Sequence, residues 1–212
     1  MEKSTTELTI EYIKNHPNIK SCLKKELINY SSLARLIAKE LKIEKKTSKE
    51  AILVAARRFQ YKLKKEFSYE KEIKELLANS ETEIKNKINV FILEKSIDLE
   101  MIDEIQKKIR KQMGTFYILE GSNSYILITQ EKYSDLIKNK FKQKIIKYDN
   151  NLVLINLKSS KDIEQTRGVI SYLTSLFTEN GVNILEFLSC WTDTIFIISD
   201  KDLPKAMNFL KF

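Results

Sequence analysis

Two groups of residues in this sequence could bind a ligand or a partner, and the first lies where a strand passes into a helix. It is the turn around Gly168, which precedes a helix predicted to begin near Val169. A glycine lets a ligand approach the backbone, and the unpaired N–H groups of a helix N-terminus suit a carboxylate. We therefore predict a small-molecule site here. The alternative is a glycine that only relieves a tight turn.

The second group lies on a basic helix that begins near residue 49 and ends near residue 65. Its apolar residues recur at helical spacing, so one face packs on a core. The residues predicted to bind DNA are Lys49, at the start of the helix, and five residues of the opposite face: Arg57, Arg58, Tyr61, Lys64 and Lys65. Arg can bond guanine edges in the major groove, and Lys and Tyr can hold phosphates. With the preceding helix this predicts a helix-turn-helix, although the turn is longer than usual. The alternative is an ordinary helix with a solvated basic face.

No catalytic motif is present in the sequence. It contains no Gly-rich phosphate loop, HExxH or G-x-S-x-G pattern, and one His with two distant Cys supplies too few soft ligands for zinc. We predict a protein without enzymatic activity, metal or cofactor. The isolated Cys22 and Cys190, the polar N-terminus and the lack of a long apolar run indicate a cytoplasmic protein with reduced thiols.

The excess of positive over negative charge lies in the first third of the chain. Residues 1–65 carry sixteen Lys and Arg against seven Glu, whereas residues 88–212 carry seventeen against sixteen acidic residues. This asymmetry is typical of a nucleic-acid-binding module attached to a neutral one.

The order of elements predicts an α+β protein with an internal repeat. Residues 1–66 form a basic all-α, helix-turn-helix-like bundle, and residues 67–83 form a connecting helix or linker. Two βαββα patterns then follow at a period of about 65 residues, over residues 84–149 and 150–212. Each pattern indicates a ferredoxin-like βαββαβ unit.

The second of these units resembles an ACT domain, most like those of aspartate kinases. The resemblance rests on Gly168-Val169 at the start of its first helix and on the turn and strand from Asn180 to Ile184. It implies amino-acid sensing at an interface between two such units, with ligand contacts from Arg167, Gly168, Val169, Asn183 and Ile184. The alternative for Asn183 is that it only caps a strand. The first unit resembles a degenerate copy, because Ile97-Asp98-Leu99-Glu100 stands where the glycine turn is expected.

From these observations we predict an amino-acid-responsive transcriptional regulator that binds double-stranded DNA as a homodimer or higher homo-oligomer through its ACT-like domains. The effector would alter ACT pairing and so the spacing of two basic helices, which must match the DNA repeat. A first alternative is a non-catalytic ACT regulatory subunit that docks an enzyme or another acidic protein partner. A second alternative is RNA binding by the basic helices.

Overall fold

The computed structural model describes residues 3–65 and 69–212, which divide into two compact units. The N-terminal unit ends at Ser68 and the C-terminal unit begins at Tyr69. The predicted connecting segment 67–83 begins at Phe67 and Ser68, which lie outside the described residues. In the described part of the chain, no helix is both long enough and apolar enough to cross a membrane.

The N-terminal unit is entirely helical where it is described. Its helices are α1 (Thr5–Asn15), α2 (Pro17–Lys24), α3 (Tyr30–Glu40) and α4 (Lys49–Lys64). A capping box begins α1, because the Ser4 side chain accepts from the Glu7 N–H and the Glu7 carboxylate accepts from the Ser4 N–H. Asn29 and Ser48 cap α3 and α4 through their side-chain oxygens.

The core of this unit lies where α4 packs against α1 and α3. The buried side chains of α4 include Ile52, Phe59 and Leu63, which confirms the predicted inward face. Tyr12 joins α1 to the end of α3, because its hydroxyl donates to Glu40 Oε2 at 2.7 Å. Burial, with this hydrogen bond, raises the pKa of Tyr12 to about 12, so its phenol remains a donor.

The C-terminal unit alternates helices with strands. Its elements are α5 (Glu70–Ala78), β1 (Glu81–Glu94), α6 (Leu99–Lys111), β2 (Phe116–Glu120), β3 (Ser124–Gln130), α7 (Ser134–Phe141), β4 (Ile145–Lys158), α8 (Val169–Glu179), β5 (Ile184–Cys190), β6 (Asp193–Ser199) and α9 (Leu203–Phe209). The first of these, α5, buries Ile73 and Leu77 in the core of this unit. The predicted linker therefore contains a helix that belongs to the C-terminal unit.

The strands form one antiparallel sheet in the order β2-β3-β1-β4-β6-β5. At its centre β1 and β4 pair along their whole length, from Glu81 with Lys158 to Leu93 with Ile145. The second half of β1 also pairs with β3, and the second half of β4 pairs with β6. Each repeat thus takes its fourth strand from the long central strand of the other repeat. The predicted boundary between residues 149 and 150 falls inside β4.

Helices cover one face of this sheet. On that face α5, α8 and α9 pack over one half around Phe177 and Phe196, and α6 and α7 pack over the other half around Phe91 and Ile137. The opposite face is also buried, because Leu119 of β2, Leu188 of β5 and other side chains of these edge strands pack against its apolar residues. The sheet is therefore curled, and its two edge strands enclose a second core.

Candidate functional site

The predicted ligand-binding turn lies between the end of β4 and the start of α8. A short 3-10 turn, Lys161–Glu164, precedes it, and Gly168 is the N-cap residue with φ 91° and ψ 1°. This left-handed conformation favours glycine. No described side chain caps the helix, so the first N–H groups of α8 have no side-chain partner. They and the partial positive charge of the helix point at this turn.

The corresponding turn of the first repeat is already occupied by the chain itself. Asp98 is the N-cap residue of α6, and its Oδ1 accepts from the Glu100 N–H at 2.9 Å. A carboxylate of the protein therefore holds the position where a ligand carboxylate would bind. Of these two corresponding turns, the one at α8 has no described side-chain cap and the one at α6 has one, so the two repeats differ chemically here.

A cavity of about 440 Å³ opens beside the α8 turn and is rich in carboxylates. It is lined by Glu72, Glu75, Leu76, Asn79, Ser160, Asp162 and Thr166. The loop is held by its own hydrogen bonds, from Thr166 Oγ1 to the Asp162 carbonyl at 2.9 Å and from Ser160 Oγ to Asp162 Oδ2 at 3.0 Å. Carboxylates here suit an ammonium group, whereas the nearby helix N-terminus suits a carboxylate.

The predicted ligand-binding residues do not all meet at this turn. Arg167 and Gly168 are exposed there, but the Val169 side chain is 2% exposed and packs in the core, so only its backbone can reach a ligand. Asn183 is exposed and Ile184 is partly buried beyond the other end of α8. Eleven residues of helix separate the two groups by about 16 Å. Within one chain they cannot hold the same small molecule.

The predicted DNA-binding residues are all exposed on the N-terminal unit. Two of them are engaged in contacts within that unit. Lys64 Nζ lies 2.6 Å from Glu26 Oε1, and this hydrogen bond raises the pKa of Lys64 and lowers the pKa of Glu26. The Arg57 guanidinium stacks 5.2 Å from the centre of the Tyr30 ring.

The other predicted DNA-binding residues remain open to a partner. Lys49, Arg58 and Lys65 form no ion pair within residues 3–65, and Tyr61 is 69% exposed. Eight residues, from Leu41 to Ser48, connect α3 to α4. This connection is longer than the three or four residues of a tight helix-turn-helix turn.

Across residues 3–65 and 69–212, no group of three or more His, Cys, Asp or Glu side chains is placed to hold an ion. Cys22 and Cys190 are exposed and form no disulfide with each other.

No family profile matches this sequence, and no curated protein is a significant match to it. Solved structures do match the fold. The aspartate kinase of Clostridium acetobutylicum aligns with 61% of this chain at 17% identity and a TM-score of 0.51, and this chain covers 33% of it. A chain of a structure of aspartokinase α and β subunits aligns with 64% of this chain at 12% identity and the same TM-score of 0.51, with 94% of that chain covered.

Each alignment covers more of this chain than the 68 residues of the N-terminal unit, so each includes part of the C-terminal unit. The C-terminal unit thus has the ACT-like fold that occurs in aspartate kinases, and the predicted resemblance is confirmed at the level of the fold. The chain spans about a third of the length of the clostridial enzyme.

Proposed function

We propose that this chain is a non-catalytic regulatory protein whose ACT-like unit binds a free amino acid at the α8 turn. The observation that carries the proposal is the uncapped helix N-terminus at Gly168, next to a cavity that contains Glu72, Glu75 and Asp162. The α-carboxylate would accept from the first N–H groups of α8, and the α-ammonium would face the cavity carboxylates. The acidic lining favours an amino acid with an uncharged or basic side chain over an acidic one.

A second copy of the chain would complete this site. Asn183 and Ile184 lie too far from Gly168 to act on the same ligand within one chain, but the same residues of another copy can approach it in a symmetric dimer. Amino-acid binding would then favour one arrangement of the pair over another, which is how a ligand shifts a conformational equilibrium. The proposed assembly is a homodimer or a higher homo-oligomer.

In this proposal, amino-acid binding regulates a protein partner, which the N-terminal unit binds. The two structures named above are of aspartate kinases, one described as an allosteric enzyme and the other as aspartokinase α and β subunits. This supports a regulatory chain that acts on an enzyme. The surplus of basic residues in the N-terminal unit fits a partner with an acidic surface.

Calorimetry with individual amino acids tests the proposal. We expect saturable binding of at least one amino acid, and about tenfold weaker binding of its carboxamide and of its N-acetyl derivative, because each derivative loses one charged group. Size measurements with and without this amino acid report on the dimer. If none of the twenty amino acids binds, the proposed sensing function is wrong.

DNA is a second candidate partner, favoured by the exposed basic face of α4. We expect the Arg58→Ala variant to bind labelled duplex about tenfold more weakly than wild type in fluorescence anisotropy, because a charged hydrogen bond is lost. Lys14→Ala, which removes an exposed cation from α1, is the matched control. Affinity should also fall steeply with salt. Equal losses of DNA affinity in both variants, or no DNA binding at low salt, would contradict DNA as the partner and favour a protein partner.

A further inference from the structure

A second cavity lies in the first repeat, between the end of α6 and the short 3-10 turn, Glu131–Tyr133, that precedes α7. Its volume is about 620 Å³, and it is lined by Lys108, Lys111, Gln112, Lys132, Tyr133 and Leu136. We infer that this cavity, called the lysine cavity below, binds a small phosphate-bearing molecule. The inference does not depend on amino-acid binding at the α8 turn, because the two cavities share no residue.

Charge is the first reason for this assignment. Three ammonium groups line the lysine cavity, and no carboxylate does. Two carboxylates close in sequence are engaged by other lysines: Glu104, one turn before Lys108, bonds Lys140 at 2.7 Å, and Glu131 lies 4.0 Å from Lys87. Like charges around a concave surface repel one another and concentrate anions there. A bound anion would relieve this repulsion.

A buried hydroxyl is the second and independent reason. The Tyr133 side chain is 5% exposed, and its hydroxyl oxygen finds no hydrogen-bond partner among the described residues. A buried polar group without a partner costs free energy, so native proteins rarely leave one unpaired. Lys132 Nζ lies 4.9 Å from the centre of the same ring. The hydroxyl lies against Gly114, so an anion bound beside Lys132 would accept from it after a small movement of the ring.

The number of donors favours phosphate over a single carboxylate. Lys108, Lys111, Lys132, Tyr133 and Gln112 all line the lysine cavity, and each of these side chains carries a donor group. A phosphate monoester carries close to two negative charges and three acceptor oxygens, whereas a carboxylate carries one charge and two oxygens. The volume exceeds that of phosphate alone and falls in the range of small-molecule sites. The Leu136 side chain and the Tyr133 ring offer apolar surface to an organic group on the ester.

Titration calorimetry with inorganic pyrophosphate and with AMP tests this inference on the full-length chain. We expect both probes to bind, and Lys111→Ala and Lys132→Ala each to weaken binding about tenfold. Lys107→Ala is the matched control, because Lys107 lies on the same helix, pairs with Asp103 at 2.6 Å and does not line the cavity. It removes the same charge and should change affinity by less than about twofold. Equal losses in all three variants would show unspecific attraction to a basic chain and overturn the inference.

Tyr133→Phe separates binding from folding. The variant keeps the ring but removes the unpartnered hydroxyl, so the ligand-free protein should melt at the same temperature as wild type or higher. The affinity for AMP should fall about fivefold, because one hydrogen bond to the phosphate is lost. Amino-acid binding at the α8 turn should be unchanged in this variant. Wild-type affinity for AMP, or no binding of either probe to wild type, would contradict the site.

Discussion

Replacing Gly114 by alanine is expected to lower the free energy of unfolding of the C-terminal unit by about 3 kcal/mol. A Cβ at this position would lie 2.5 Å from Cε2 and from the hydroxyl oxygen of Tyr133, and 2.7 Å from Cγ2 of Ile109. Both neighbours are buried, so neither can move without disturbing the core around α6 and α7. Chemical denaturation followed by circular dichroism measures the loss, provided that the transition of the C-terminal unit is resolved from that of the N-terminal unit.

Gly181→Ala is the matched control for this steric effect. A Cβ at Gly181 would meet nothing within 4 Å, but φ there is +66°, so the substitution costs only backbone strain of about 1 kcal/mol. The Gly114 variant must therefore be the less stable of the two. If Gly114→Ala were as stable as wild type, Tyr133 would not be held against the end of α6, and the geometry of the lysine cavity would be wrong as well.

The inward face of α4 could be predicted from spacing alone, because only one arc of that helix is apolar. The paired repeats could also be recognised from the order of their elements. Their fusion into one sheet could not be predicted, because the polar run Asp149-Asn150-Asn151 is typical of a turn. In the structure Asn151 adopts φ +54° inside β4, and Lys87 adopts φ +55° at the matching place in β1. A single left-handed residue therefore shifts the register without ending the strand, which local sequence does not reveal.

The candidate site could also be predicted only in part, because some of its residues are brought together by tertiary packing. The turn at Gly168 could be predicted, because few residues other than glycine fit a left-handed N-cap. The carboxylates of Glu72 and Glu75 could not be predicted as part of the site. They lie beside the α8 turn only because α5 packs onto the core through Ile73 and Leu77. The lysine cavity was missed because Lys108, Lys111 and Lys132 resemble any solvated basic residues until α6 and the turn before α7 are brought together.

The second large effect is expected at Gly168, where aspartate should weaken amino-acid binding about a hundredfold. The substitution places a carboxylate at the N-terminus of α8, as Asp98 does at α6, and this carboxylate would repel the ligand carboxylate and compete for its N–H donors. A Cβ at Gly168 would have only Ile73 Cδ1 nearby, at 3.5 Å, so the added atoms fit in space. Calorimetry with the amino acid that binds wild type gives the affinity.

Gly168→Asn isolates the charge from the backbone strain. Asparagine and aspartate have the same shape and tolerate a positive φ better than most residues. Both variants should therefore have similar backbone strain at φ +91°. The asparagine variant should bind within about tenfold of wild type, since it adds no negative charge. Equal weakening in both variants would mean that the glycine serves only the turn, and that the ligand carboxylate does not bind at α8.

The carboxamide of the same amino acid completes the comparison. It lacks the negative charge, so its weaker affinity for wild type should fall little further in Gly168→Asp. Suppose that Gly168→Asp loses much affinity for the amino acid and little for its carboxamide. This difference would measure a coupling between two carboxylates, one on the ligand and one on residue 168. Such a coupling requires them to be close in space. It would locate the ligand at the α8 turn even if the amino acid also bound elsewhere on the chain.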